Sequence, residues 1–383
     1  MDNFLKISEM RKSIGKSLLY TFPMFLITFI FITGGRPNFS DLSSGLAMLT
    51  VFLLVNVLYF FMHYTGKTDR YRAILFIIFA LSLSYSLIHN MLEVRKSMSF
   101  SQADILECKI PFCHLVIPMM ILPAAFTKSI IFPGSIIGGF ANISSMIVLW
   151  LIATVVLGRG FCSWGCFYGG WDDGFSRIRK RPVIKKISEL WKWMPFAVLI
   201  MVMLTAALSM MPTYCSWICP FKAVTEFEQV TSVESATKAG IFLSIFGGLV
   251  VVLPVMTRKR TQCSYLCPLG AINSLSNRIT PFTLKIDKNA CNECFKCVET
   301  CPLFALTRED IKEGKVSMFC SKCGKCADAC SRKAIHYGIR GIPAGTLKNF
   351  SRNLFLFVSF LFMSMFSAGS IINTFHGILK LIF

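Results

Sequence analysis

Seven long apolar stretches decide what this chain can fold into. They lie near residues 17–33, 45–64, 72–92, 140–158, 194–211, 240–256 and 353–373. Stretches of about 17–22 apolar residues are long enough to cross a bilayer as helices. In hydrocarbon a helix can satisfy all of its own backbone hydrogen bonds. Composition agrees, since 54% of the 383 residues are hydrophobic, too many for an ordinary soluble domain. The first stretch follows Lys6, Arg11, Lys12 and Lys16 and has no small-residue cleavage signature after it. It reads as an uncleaved anchor. A further apolar segment, 115–135, contains Pro118, Pro123 and Pro133 and carries Lys128. It reads as re-entrant or interfacial, because irregular backbone at membrane depth must be covered by protein or line a wet cavity.

Charge orients the bundle. The net charge is +20, and the segments 1–16, 65–72, 159–193 and 257–352 hold 32 of the 40 Lys and Arg residues. Basic loops face the cytoplasm, which places the N-terminus inside and, after seven spans, the C-terminus outside. No recognition motif accompanies the charge, so nucleic acid is not an expected partner.

Sixteen cysteines then need an explanation. Most fall in basic loops expected to face a reducing compartment, which favours metal ligation over disulfides. The clearest pattern is Cys291-x2-Cys294-x2-Cys297-x3-Cys301-Pro302, repeated as Cys320-x2-Cys323-x2-Cys326-x3-Cys330. This is the spacing of a bacterial two-[4Fe–4S] ferredoxin, in which the fourth cysteine of each run serves the other cluster. One set is then Cys291, Cys294, Cys297 and Cys330, and the other Cys320, Cys323, Cys326 and Cys301. A zinc site needs two separated thiolate pairs, not runs of three close cysteines. Ser331 stands where a proline usually follows the second run.

The other eight cysteines form four pairs: Cys108/Cys113, Cys162/Cys166, Cys215/Cys219 and Cys263/Cys267. Topology sorts them. Cys162/Cys166 and Cys263/Cys267 follow spans four and six, at the inner face. Cys108/Cys113 and Cys215/Cys219 flank spans four and five, at the outer face. Two further four-cysteine sites are therefore expected, one at each face. A hydrocarbon core of about 30 Å between them is long for one electron-tunnelling step, unless the proline-rich segment draws the outer site inward. A rival reading takes Cys108-x4-Cys113-His114 as a widened haem c attachment motif, but it leaves Cys215 and Cys219 without a role. A b-type haem between His89 and His376 is disfavoured, because lone histidines at helix ends are ordinary interface residues.

Three smaller expectations concern the surroundings. Asp172 and Asp173 are read first as orienting the next segment, and second as a proton relay from a quinol. Trp164, Trp171, Trp191 and Trp193 are expected in the interfacial belt. Lys259, Arg260, Lys322 and Lys325 are expected to raise cluster potentials.

The pattern around these cysteines resembles the membrane-bound polyferredoxins related to NapH, the C-terminal half of NosR, and CcoG. The family's GR-x-FCGW-x-CP motif is matched by Gly158, Arg159, Phe161, Cys162, Trp164 and Cys166. Ser163 replaces its glycine and Phe167 its proline. A second motif is matched by Arg260, Cys263, Cys267, Pro268, Leu269, Gly270 and Ala271. With the ferredoxin runs, the resemblance covers about 140–340. It implies electron transfer in the bacterial inner (cytoplasmic) membrane, with relatives associated with quinol oxidation, supply of periplasmic reductases, or metal reduction during oxidase assembly.

The expected fold is an α-helical polytopic membrane protein of about seven transmembrane helices with an inserted cytoplasmic α+β two-[4Fe–4S] ferredoxin module. Its regions are 1–139, with three spans and the Cys108/Cys113 segment; 140–283, the membrane core; 284–340, the ferredoxin module; and 341–383, the last helix. The expected function is a conduit with four [4Fe–4S] clusters, moving electrons across the membrane between a cytoplasmic donor or quinol and an acceptor outside. The donor would be an acidic carrier or flavoprotein. A quinol dehydrogenase with a bound quinone is one alternative, and a redox sensor or metal-reducing assembly factor another.

Overall fold

The structure is a computed structural model and describes residues 2–35, 42–96, 114–127, 143–184, 188–211, 213–220, 232–343 and 346–382. Cys108 and Cys113 lie outside the described residues. Among the described residues six helices are long and apolar enough to cross a membrane, within Ser13–Thr33, Leu42–Thr65, Ile147–Trp164, Leu190–Ser209, Ala236–Thr257 and Lys348–Lys380. The seventh expected stretch, 72–92, lies within a further helix, Thr68–Lys96. The segment expected to be irregular is helical over Ile117–Thr127. Eleven residues are too few to span. The last helix runs from Lys348 to Ile382.

We label the helices that matter here α1 (Asp2–Thr33), α2 (Leu42–Thr65), α3 (Thr68–Lys96), α4 (Ile117–Thr127), α5 (Ile143–Leu157), α6 (Phe167–Phe175), α7 (Met194–Ser209), α8 (Val233–Ile245), α9 (Pro268–Ser276) and α10 (Lys348–Ile382). Apolar side chains on their outer faces stay exposed, as lipid-facing positions require; Leu208 is 87% exposed. Inner faces carry Phe355, Phe360 and Met363 of α10 and Phe76 and Phe79 of α3, all fully buried in one core, and Phe79 meets Phe366 of α10 with ring centroids 6.2 Å apart. Several polar residues within the spans find partners locally or across helices. Asn56 Nδ2 donates to Thr28 Oγ1 at 3.0 Å and ties α2 to α1. Such bonds matter where no water competes.

The ferredoxin module is closed by two antiparallel strands, β1 (Phe282–Ile286) and β2 (Ile335–Ile339), with Phe282 opposite Ile339 and Ile286 opposite Ile335. Period-two alternation buries Phe282, Leu284 and Ile286. Both cysteine runs lie between these strands. The strands meet the membrane bundle through aromatic contacts, with the Tyr337 and Phe355 rings stacked at 4.6 Å. Asp328 of the module accepts from Thr68 N and Asp69 N at 3.0 and 2.7 Å, satisfying otherwise orphaned donors at the start of α3.

Candidate iron-sulfur sites

The pairs Cys162/Cys166 and Cys263/Cys267, expected at the inner face, fold into equivalent pieces. In each, the first cysteine lies in a short helical turn, Phe161–Trp164 or Thr261–Tyr265. The second, Cys166 or Cys267, is extended and stands at the N-terminal cap of α6 or α9. The pieces then reach into each other. Arg260 Nη2 donates to Cys162 O at 2.6 Å, and Arg159 Nη2 to Cys263 O at 3.4 Å. Asp172 of α6 accepts from Cys263 N at 2.9 Å, and Asn273 Nδ2 of α9 faces Cys162 Sγ at 3.6 Å. Gly169 allows this approach: a Cβ there would collide with Arg260 Nη2 and Cys162 O. The arrangement is a local pseudo-twofold. Its signal in the sequence is a constant offset of 101 positions, relating Arg159 to Arg260, Cys162 to Cys263, Cys166 to Cys267 and Asp172 to Asn273.

All four thiols are buried. Burial pushes the Cys267 thiol up to about 12 and that of Cys263 well above its ordinary range, against the pull of Arg260. Yet the site is cationic. Arg159 and Arg260 are fully buried, and Arg159 Nε, Arg159 Nη1 and Arg260 Nε have no hydrogen-bond partner among the described residues. Orphaned buried donors of positive charge are costly. A thiolate-bound, negatively charged cluster is the kind of group that would offset them.

In the module, Cys291, Cys294, Cys297 and Cys330 line one cavity together with Ile286 and Ile335. Cys301, Cys320, Cys323 and Cys326 line another with Leu284 and Leu306. Each cavity thus gathers three cysteines of one run and the fourth of the other. Among the described residues no three His, Cys, Asp or Glu residues close around a single metal ion.

The cavity holding Cys301 is the one seated on the membrane core. Arg260 N donates to Pro302 O at 2.8 Å. Ser163 Oγ donates to Ser321 Oγ at 2.7 Å, and Trp164 Nε1 to Lys322 O at 3.2 Å. The other cavity lies farther out, where Cys294 is exposed.

The remaining pair, Cys215/Cys219, sits at the helical turn Thr213–Trp217 that follows α7. It is not remote from the inner site. Tyr168 Oη lies 3.2 Å from Cys219 Sγ. Tyr214, beside Cys215, accepts through its hydroxyl from Gln262, the neighbour of Cys263, at 2.8 Å. His114, the residue after Cys113, places Nε2 3.1 Å from Cys166 Sγ. Helix α4 holds this region in place, with Met119 Sδ accepting from Tyr214 N at 3.1 Å.

Some surroundings differ from expectation. Trp164 is not an interfacial residue: it is fully buried and clamps the module. Trp171 is partly buried and donates to Ser84 Oγ at 2.8 Å. Trp191 and Trp193 are about half exposed, at 47% and 50%. Lys322 Nζ does not address a sulfur. It is bound by Leu157 O, Asn277 Oδ1 and Thr280 Oγ1, while its backbone N–H points at Cys320 Sγ. Arg260 does reach a sulfur, Cys263 Sγ at 3.3 Å. Lys259 Nζ binds Cys301 O at 2.6 Å. Asp173 is locked between Arg72 and Arg177 at 2.9 and 3.1 Å, and so orients the segment.

Fold and sites together define a mostly helical membrane protein with iron–sulfur ferredoxin domains. A family model described as a 4Fe-4S dicluster domain matches residues 283–331. One described as a 4Fe-4S binding domain matches three times, at 139–186, 191–229 and 239–287. Each of these three segments contains one Cys-x3-Cys pair, Cys215/Cys219 included. The ferredoxin-type protein NapH of Haemophilus influenzae is 22% identical over 204 residues, 50% of this chain and 67% of NapH. The methylamine utilization ferredoxin-type protein MauN of Paracoccus denitrificans is 25% identical over 190 residues, 48% of this chain and 60% of MauN. The regulatory protein NosR of Stutzerimonas stutzeri is 26% identical over 171 residues, 42% of this chain and 22% of NosR. No solved structure matches the chain. These domains and ferredoxin-type relatives support a membrane polyferredoxin family, to which the sequence resemblance pointed.

Proposed function

We propose that this protein is an electron conduit in which four [4Fe–4S] clusters are held in series. The outermost is assigned to Cys291, Cys294, Cys297 and Cys330, and the next to Cys301, Cys320, Cys323 and Cys326. The third is assigned to Cys162, Cys166, Cys263 and Cys267, and the last to Cys108, Cys113, Cys215 and Cys219. Bound there, the clusters supply one-electron storage and transfer. The residues supply order, spacing and electrostatics. The observation that carries this reading is the seating of the Cys301 cavity on the Cys162 loop through Ser163 and Ser321. It supports an order that runs from an exposed cysteine toward the bundle interior.

Cys294 marks the exposed end. Residues 284–340 around it carry 11 Lys and Arg against 7 Asp and Glu, which favours docking of an acidic carrier or flavoprotein. On the charge argument this end is cytoplasmic, the membrane is the inner membrane, the C-terminus lies outside, and the last site feeds an external partner. Contact of Cys219 with Tyr168 supports closely spaced membrane sites, so the full hydrocarbon thickness need not be crossed between them.

A second reading, quinol dehydrogenase, is favoured by one feature. An apolar groove of about 200 Å³ between α3 and α6 is lined by Ile77, Ala80, Leu81, Trp171, Phe175 and Ile178, beside the inner site. Anaerobic redox titration by EPR, with iron and acid-labile sulfide counted per chain, tests the conduit. Reduction of the membrane sites by quinol alone, with the module bypassed, would favour the dehydrogenase.

A further inference from the structure

The pseudo-twofold of the Cys162 and Cys263 loops is broken in charge. Arg260 stands among acceptors: Nη1 donates to Ser163 Oγ at 2.7 Å, and Nη2 to Cys162 O at 2.6 Å and Cys263 Sγ at 3.3 Å. Asp172 and Asp173 are among the charges that act on it. Arg159, its mate at the 101-residue offset, is 1% exposed and reaches only Cys263 O, through Nη2 at 3.4 Å, among the described residues. Its Nε and Nη1 have no partner there, and no carboxylate pairs with it. The position related to Asp172 is Asn273, an amide. The groups acting foremost on the Arg159 charge are the Cys162, Cys263 and Cys267 thiols and Arg260 itself. Its placement is built into the chain. Gly158 turns with φ +56° where a Cβ would collide with Asn277 and Thr280, and Asn277 Oδ1 accepts from Arg159 N at 3.1 Å. The guanidinium then lies over Phe319, 5.3 Å from the ring centroid, and Phe319 precedes Cys320 of the module.

We propose that Arg159, a buried cation left without a carboxylate, raises the reduction potential of the site formed by Cys162, Cys166, Cys263 and Cys267. The inference rests on the reading that these four cysteines hold a cluster. Their thiols are close enough to act on one another: Cys162 and Cys267 on Cys166, and Cys166 and Cys267 on Cys263. A positive charge in a poorly screened interior favours the more negative, reduced state of such a site. The field of Arg260 there is partly cancelled by Asp172 and Asp173. That of Arg159 has no such counterweight, because Asn273 replaces the second carboxylate. Desolvating an unpaired guanidinium is costly, so the cluster is also the group that offsets that cost. Arg159 acts on three thiols of this site and meets the module through an aromatic ring, so the shift falls mainly on the membrane site. An electron arriving from the Cys301 cavity is thereby drawn inward. Arg159 is a tuning residue, not a ligand.

The test is an anaerobic EPR redox titration of the full chain in detergent, with iron and sulfide counted first. Cys263→Ala assigns the signal of this site, and Cys294→Ala that of the exposed module site. Arg159→Gln, which keeps an N–H donor and drops the charge, should lower the midpoint of the first signal with iron unchanged. The second signal should stay in place. Arg159→Lys, titrated at pH 6 to favour the charged form of a buried amine, should recover most of the shift. An unchanged midpoint in Arg159→Gln at full iron would overturn the inference while leaving the conduit standing. Equal lowering in the Gln and Lys variants would assign the effect to shape and overturn the charge argument. Loss of iron in both variants would make Arg159 a structural prop and overturn it too. A Cys263→Ala protein that keeps all the iron of the unsubstituted protein would remove the underlying reading, and the inference with it.

Discussion

Ser163 and Ser321 are joined hydroxyl to hydroxyl at 2.7 Å, and Ser163 also receives Arg260 Nη1 at 2.7 Å. One residue lies beside Cys162 in the membrane core and the other between Cys320 and Cys323 in the module. Ser163→Gly, which restores the family's residue, removes both bonds and orphans a buried guanidinium N–H. A cost of about 1–3 kcal/mol is expected. Electron passage from the module to the membrane sites should slow with iron unchanged, as read by stopped-flow reduction. An unaltered rate would show that the bridge does not couple them.

Sixteen cysteines in four sets predict about 16 Fe and 16 sulfide per chain, four of each per cluster. Anaerobic purification with elemental analysis checks this. A preparation rich in zinc and poor in sulfide would contradict it.

The crossed lining of the two module cavities makes Cys330 and Cys301 diagnostic. Cys330→Ala should remove the signal that Cys294→Ala removes and spare the one that depends on Cys323. Cys301→Ala should do the reverse. Loss of the Cys323-dependent signal in Cys330→Ala would mean that each run holds its own cluster.

Asp173 is buried between Arg72 and Arg177. Burial opposes its charge, but Arg177, Arg72 and Arg260 overcome this and hold the carboxyl well below its usual range. A carboxylate depressed in this way stabilises the fold above its unfolded value of about 3.9. That contribution is lost as pH falls through the folded value. Asp173→Asn should therefore cost about 3–5 kcal/mol at neutral pH, the cost of breaking a buried pair. Unfolding in detergent should show no change from this group between pH 7 and 5 in the unsubstituted protein. An Asn variant of equal stability would show the pair to be energetically idle.

Reduction by a soluble acidic carrier should slow as salt rises, because surface steering is screened over about 8–10 Å at ordinary ionic strength. Stopped-flow rates across a salt series decide this. A flat salt profile would argue against docking on the basic module.

Much of this is legible in the sequence. The ferredoxin runs carry their pairing in their spacing, and apolar length reveals spans whatever their packing. Position along a membrane normal is harder to read. Charge places Cys219 on one side and Cys166 on the other, but it does not show that Tyr168 and His114 bridge them, because loop depth is set by packing of α4. The burial of Trp164 is hidden from the sequence for a related reason. Tryptophan beside a membrane is common at the interface, and only the seated module explains its burial. The 101-residue offset was present in the sequence, but an isolated Arg-x2-Cys-x3-Cys repeat gains meaning only when the two arginines are seen to cross.

The module's seat over the Cys162 and Cys263 loops has a consequence for biosynthesis. Trp164 is covered by Lys322, and Arg260 N by Pro302. On the proposed assignment, a cluster would reach Cys162, Cys166, Cys263 and Cys267 most readily while residues 282–340 are unfolded or lifted away. Residues 263–267 leave the ribosome before residues 291–330 do. On that assignment, loading of the buried site would precede the seating of residues 282–340. A chain that folds its C-terminal half too early would mature with iron at its exposed end and none at its centre.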